Sequence, residues 1–314
     1  MNAEQLAPLV GDLRQLAFVR AIVLDDGPER GQRALLCSTG GGLDFMVLPD
    51  RAMDIGTLSV RGLPVAWQSP AGLRSPYLTD PDSEGGTGFN RSFSGLLVTC
   101  GLESTRQPAG GAPLHGRLPG TPARLFAHGE DWERREPVLY CEGEAVQAAY
   151  GKEALRLRRR IESPIGGMTL VIRDRVDNIG PTAAAHSILY HLNFGYPAIA
   201  DGTRVRLAGQ PILGPIALGD AKARPQVDCR PAGPAGETQA SIHTPRAGSD
   251  LDISVTFSGA TLPFLQVWHD LRPRTGVLAI EPCSTARRED GGSTPGTVLE
   301  PGESRDYEIR LSFA

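Results

Sequence analysis

The stretch ALRLRRRIESPIGGMTLVIRDRVD, residues 154–177, decides how the rest of the chain is read. Two runs, 154–162 and 168–177, flank the segment SPIGG, whose glycines suit a short turn. That arrangement predicts a β-hairpin. The same logic extends to the C-terminus, where Tyr307, Ile309, Leu311 and Phe313 alternate with Glu308, Arg310 and Ser312. A period of two buries one face of a strand and wets the other. Further strands fit residues 43–48, 58–66, 138–148, 203–208, 251–257 and 277–281.

The 38 glycines and 26 prolines are dispersed between short apolar runs, which is how an all-β chain punctuates its turns. One helical pattern occurs at residues 3–16, where Leu6, Leu9, Val10, Leu13 and Leu16 recur at helical spacing across Pro8 and Gly11. Segments 79–88, 105–113 and 229–240 lack hydrophobic periodicity and predict loops or edges. None has the character of a linker, and no solenoid or propeller repeat is present. The expectation is one domain over residues 1–314, an all-β fold built as a large antiparallel sandwich.

A formal net charge of -4 with 22% charged residues provides no positive field for a polyanion, which argues against nucleic acid. Five cysteines, widely spaced and never arranged as CxxC, predict reduced thiols. No window approaches the roughly 20 apolar residues of a membrane span, and the N-terminus lacks the pattern of a signal peptide. A cytoplasmic location without membrane contact is expected.

Several residues are candidates for chemistry. In ILYHLNFGYP (188–197), strand alternation sends Ile188, Tyr190, Leu192 and Phe194 to one face and Leu189, His191 and Asn193 to the other. Alternation alone leaves His191 open between a histidine bonded to a neighbouring loop and one that lines a cleft. His115 precedes Gly116 in a loop, and Asn90 and Arg91 stand between Phe89 and Phe93. Side chains of those types can fork hydrogen bonds onto vicinal hydroxyls, although a loop arginine also serves as a solvated ion-pair partner. Glu281 ends an apolar strand just before Pro282, where a carboxylate needs partners or has a task. Trp268 shares a strand face with Phe264 and Gln266, suited either to the core or to stacking on a sugar's CH face. Metal-binding and nucleophile patterns are lacking: His186 and His191 fall on opposite strand faces, and no HExxH, GxSxG or Walker loop occurs.

In combination and order, GDLRQLA (11–17), LPDRAMDIG (48–56), GLLVTCGLEST (95–105), PLHGRLPGTPA (113–123), YHLNFGYP (190–197), IEP (280–282) and LEPGESRDY (299–307) resemble the aldose 1-epimerase, or galactose mutarotase-like, superfamily. The resemblance is strongest to its bacterial branch catalogued as a domain of unknown function, and it covers nearly the whole chain. It implies a β-supersandwich with a sugar cleft on the concave face of one sheet, and a small-molecule sugar as partner. Mutarotases carry an Asn-Arg pair, then a His-Gly, a strand histidine and a Glu-Pro. Here that order is matched by Asn90-Arg91, His115-Gly116, His191 and Glu281-Pro282. By resemblance Glu281 is the base and His191 the acid of a cofactor-independent ring opening, with His115 and Arg91 orienting the sugar and Asn90 assisting.

The chain departs from the mutarotase pattern in two places. Leu192, Asn193 and Phe194 follow His191 where an aromatic pair is usual, and Asn193 shares the face of His191 without an assigned role. Asp201, Asp220 and Asp228 are the candidates for the family's sugar-binding aspartate, and Arg51 either serves an acidic or keto sugar or pairs with Asp50 or Asp54. The reading that competes with catalysis is a carbohydrate-binding protein that keeps the cleft without turnover.

Overall fold

Residues 3–314 are described by the structure, a computed structural model. The hairpin at the centre of the sequence reading forms as strands Ala154–Pro164 and Thr169–Asn178, paired antiparallel from Val171 opposite Glu162 to Asn178 opposite Leu155. Gly167 N donates to Pro164 O and closes the turn. Leu155, Leu157 and Ile161 face inward together with Leu170, Ile172 and Val176. Each such side chain contributes roughly 1.5–3 kcal/mol by leaving water. The C-terminal strand Ser304–Phe313 lies between Thr169–Asn178 and Leu251–Ser258, and buries Tyr307, Ile309, Leu311 and Phe313.

These strands belong to a nine-stranded antiparallel sheet, which packs on an eleven-stranded one. The larger sheet runs through Leu97–Leu102, Ala184–Gly195, Val277–Cys283, Phe264–Asp270 and, at its edge, Gln226–Pro231. Ile188, Tyr190, Leu192 and Phe194 enter the core between the sheets, as alternation predicts. The fold is the expected all-β sandwich of two large antiparallel sheets. No helix among the described residues is long and apolar enough to cross a membrane.

Three expectations need correction. The helical pattern at 3–16 resolves into Ala3–Leu6, a 3₁₀ turn at Ala7–Leu9 and another at Leu13–Gln15, none with a buried residue. Pro8 and Gly11 prevent a continuous helix. The strand expected at 58–66 is two strands, Asp54–Val60 and Leu63–Pro64, joined at Arg61 and Gly62. Both joining residues have positive φ, 50° and 77°, as a two-residue hairpin turn demands. The loop expected at 229–240 is only a connection, because Gln226–Pro231 and Glu237–Thr244 are strands on either side of it.

Alternation also hid a charge inside. Arg159 sits at an inward position and is 1% exposed. It donates two bonds to Asp174, at 2.8 and 2.6 Å, one to Asp54 at 3.0 Å and one to Thr99 Oγ1 at 2.9 Å. Tyr190 OH donates to the same Asp174 at 2.8 Å. Burial opposes the charge, but the Asp174 ion pair and its hydrogen bonds outweigh it and hold the guanidinium well above its ordinary pKa. This network ties the hairpin of one sheet to Thr99 and Tyr190 on two strands of the other.

Candidate active site

The larger sheet presents its outer face as a cleft of about 440 Å³, within the range of small-molecule sites. Its floor follows from register. His191 lies opposite Val98, Leu192 opposite Ile280, Gln266 opposite Glu281, and Trp268 opposite Ala279. Pairing therefore gathers His191, Glu281, Gln266 and Trp268 on one surface, where Val227 of the edge strand joins them. Beside them on the same face Leu189, Val98, Cys100 and Cys283 form a small apolar cluster with Phe89 and Leu114.

His115 comes from the loop after Leu97–Leu102. Its φ is +63° and that of Gly116 is +73°. A Cβ on Gly116 would collide with the carbonyl oxygens of Gly101 and Ser104, so only glycine lets the loop fold this tightly. His115 O accepts from Gly101 N at 3.0 Å, which pins the histidine over the sheet. The His115 and His191 rings meet edge to face with centroids 5.5 Å apart. Phe93 packs on His191 at 5.0 Å and Trp268 at 5.8 Å, and the two aromatic rings are themselves 6.0 Å apart.

Hydrogen bonding fixes the protons. Asn193 Nδ2 donates to Gly95 O at 3.0 Å and to His191 O at 3.1 Å, so Asn193 Oδ1, 2.6 Å from His191 Nδ1, must accept. His191 Nδ1 therefore carries a hydrogen, and Nε2 of the neutral ring offers a lone pair. His115 Nδ1 likewise donates to Thr105 O at 2.8 Å, which leaves its Nε2 as an acceptor. Burial pulls the pKa of His115 down to about 3 and that of His191 down to about 4, so both rings are neutral near pH 7.

Glu281 is fully buried. Its Oε2 accepts from Gln266 Nε2 at 2.6 Å, whereas Oε1 has no hydrogen-bond partner among the described residues and lies 3.5 Å from His191 Nε2. Burial pushes its carboxyl up to about 8, against the bond from Gln266 and the fields of Arg106 and Arg287. A proton on Oε1 faces the lone pair of Nε2, so the pair holds one mobile proton between pH 4 and 8.

Asn90 stands exposed at the mouth of this cleft, and Trp268 forms one of its walls half-buried. Asn193, on the same strand face as His191 but fully buried, does not line the cleft and instead fixes the His191 ring. Arg91 does not reach the cleft: its side chain is 66% exposed and pairs with Glu84 at 2.6 Å. The 3₁₀ turn Gly88–Arg91 aims Asn90 inward and Arg91 at the surface, because neighbours on a turn diverge. Arg51 is also elsewhere, buried in the 3₁₀ turn Pro49–Arg51, where Asp54 is the nearby countercharge. Asp50 instead pairs with Arg33 at 2.6 Å. Asp201 accepts from Leu218 N, Asp220 from Lys222 N, and Asp228 pairs with Arg230; none lines the cleft.

Sequence reasoning missed Arg106, Gln266, Phe93 and Arg287, all of which line it. Gln266 was accessible from its alternation with Trp268. Arg106 lies in a turn-rich segment without periodicity, and no local signal marks it. Among the described residues no group of three His, Cys, Asp or Glu is arranged to hold a metal.

A family model described as "Domain of unknown function (DUF4432)" matches residues 29–313. A Klebsiella pneumoniae structure described as a "putative aldose 1-epimerase" superposes with a TM-score of 0.83 at 22% identity, covering 100% of this chain and 86% of that one. A galactose mutarotase-like protein from Clostridium acetobutylicum gives 0.61 at 14% identity, covering 96% and 99%. Galactose 1-epimerase from Lactobacillus acidophilus gives 0.54 at 10%, covering 94% and 98%. At these identities the likeness shows the fold. No curated protein matches the chain.

Proposed function

The chain belongs to the DUF4432 family, and from that premise we propose that it is a cofactor-independent sugar mutarotase, opening and reclosing a cyclic hemiacetal by acid and base. The observation that carries this reading is the buried pair of Glu281 Oε1, without a hydrogen-bond partner, and His191 Nε2, 3.5 Å away, sharing one proton at the floor of a cleft.

Ring opening removes the proton of the anomeric hydroxyl, breaks the bond from C1 to the ring oxygen, and delivers a proton to that oxygen. Glu281 takes the first proton and His191 Nε2 gives the second. When sugar enters, the shared proton passes from Oε1 to Nε2, a change that leaves the net charge of the pair unaltered. A base with a pKa near 8 is strong and an imidazolium with a pKa near 4 is a ready acid, so both assignments gain from burial. Rotation about C1–C2 in the open aldehyde and reclosure with the roles reversed yield the other anomer. His115 Nε2 is an acceptor and therefore takes a hydrogen bond from a sugar hydroxyl; the ring oxygen, having no hydrogen, cannot be its partner. Phe93 and Trp268 offer ring surfaces to the sugar's CH groups.

The test is polarimetry on freshly dissolved single anomers of aldoses, uronates and deoxy sugars. A mutarotase accelerates equilibration over buffer with at least one of them, and absence of acceleration with a sugar that binds refutes the proposal. The pH profile is a further expectation. Below about 4 the pair gains a second proton and lacks a base; above about 8 it loses its proton and lacks an acid. The buffer-corrected kcat/KM should be bell-shaped, with limbs approaching those values.

Asn193 acts through His191. Asn193→Leu frees the ring and removes the acceptor that fixes its tautomer, so kcat should fall about 100-fold, as misplacement of a catalytic group does. The KM should change far less, and the acidic limb should move with the altered imidazole. Steady-state kinetics across pH checks both.

A further inference from the structure

Two guanidinium groups line the cleft, and among the described residues neither forms an ion pair with a carboxylate within 4.0 Å. Arg106 is 1% exposed, as buried as Arg159, yet Arg159 has two aspartates and Arg106 has none. Its oxygen partners are neutral: Gln266 Oε1 at 3.0 Å, Thr285 Oγ1 and Ser293 Oγ each at 3.0 Å, and Thr285 O at 2.9 Å. Of the two sulfurs beside it, Cys283 at 3.3 Å stays a thiol, whereas the hydrogen bond from Cys283 pulls Cys229, at 3.7 Å, down to about 6 and makes it, among the described residues, the one anion near Arg106. One thiolate at 3.7 Å offsets at most one of the two cations, so a further counter-charge supplied from the cleft would be stabilising. Arg287 is half-buried on the hairpin after Val277–Cys283, where its Nη1 donates to Gly291 O at 3.3 Å.

The other ionisable groups lining the cleft do not neutralise this pair of charges. Glu281 is its carboxylic acid, kept protonated near pH 7 by burial, and His115 and His191 are neutral. With Cys229 offsetting Arg106 from outside the lining, a neutral sugar would still leave the Arg287 cation beside it without a countercharge. We infer that the substrate is an anionic monosaccharide, its carboxylate or phosphate held at the end of the cleft where Arg106 and Arg287 lie. Arg287 supplies the direct hydrogen bonds, because the donors of Arg106 are already engaged. Arg106 supplies the field and, through Gln266, holds the Glu281 carboxyl in place. The inference takes from the mutarotase reading only that the ligand is a sugar.

The experiment measures binding and turnover separately, with D-glucuronate, D-galacturonate and glucose 6-phosphate against glucose and galactose. Calorimetric binding to the full chain should favour at least one anionic sugar over its neutral parent by about tenfold or more. The uronate and phosphate arms tell which anion it is. Arg287→Gln should collapse that ratio towards one, and Arg287→Lys should restore part of it. If no anionic sugar binds more tightly than its parent, the inference is overturned, whatever the turnover. If an anionic sugar binds preferentially but no anomer exchange is accelerated, the mutarotase reading falls and the substrate class survives as a ligand class.

Discussion

Glu281→Gln should lower the enzymatic rate of anomer exchange by about 10²–10⁴-fold, the contribution of a positioned acid or base, while sugar affinity stays close to that of the native protein. The amide reproduces the protonated carboxyl: its oxygen accepts from Gln266 Nε2 and its NH₂ faces the lone pair of His191 Nε2, the positions seen for Oε2 and Oε1. Only the ability to exchange a proton is lost. Stability should change in the opposite sense at high pH. The folded pKa of Glu281, about 8, lies above its ordinary value of 4.5. Its contribution is therefore fully present below about pH 4.5 and is lost as pH rises through 8. Glutamine has no such loss, so the variant should melt higher than the native protein at pH 9 and similarly at pH 5. A variant that melts lower at both values would show that the carboxyl is needed for packing.

Arg159→Ala should cost about 3–5 kcal/mol of unfolding free energy, because it strands the buried carboxylates of Asp54 and Asp174 without their cation. Denaturant unfolding reads this directly. Removing all three charges together, with Arg159→Met, Asp54→Asn and Asp174→Asn, should recover a substantial part of the loss. A single Arg159→Ala that unfolds like the native protein would mean that the two sheets are joined by apolar packing alone. The network matters for the site as well, since Thr99 and Tyr190 flank the strand positions from which His191 projects.

Elements whose stability comes from one buried face were legible. Leu43–Leu48 and Val138–Ala148 fall at the expected residues because alternation and flanking turn residues agree there. Gln226–Pro231 was not legible: it is an edge strand, paired among the described residues only with Phe264–Asp270, and its exposed Gln226, Asp228 and Pro231 leave no apolar period. Arg159 obeyed alternation by position and violated it by type, which only the carboxylates on other strands explain. In the site, the residues carried by strand periodicity and the His-Gly turn, namely His191, Glu281, Trp268 and His115, converge on one cleft. Arg91 diverges from it because orientation on a one-turn 3₁₀ segment cannot be read from adjacency to Asn90. Arg106 became visible only once its loop was folded back over the sheet, with Arg106 O accepting from His115 N at 2.9 Å.

Acid–base ring opening by Glu281 and His191 is tested most directly by saturation-transfer NMR between the two anomers of a bound sugar, run in parallel on the native protein and on Glu281→Gln. Transfer should be rapid with the native protein and run at the buffer rate with the variant, although the sugar still binds. Equal transfer with both proteins, or none above buffer with the native one, would contradict it.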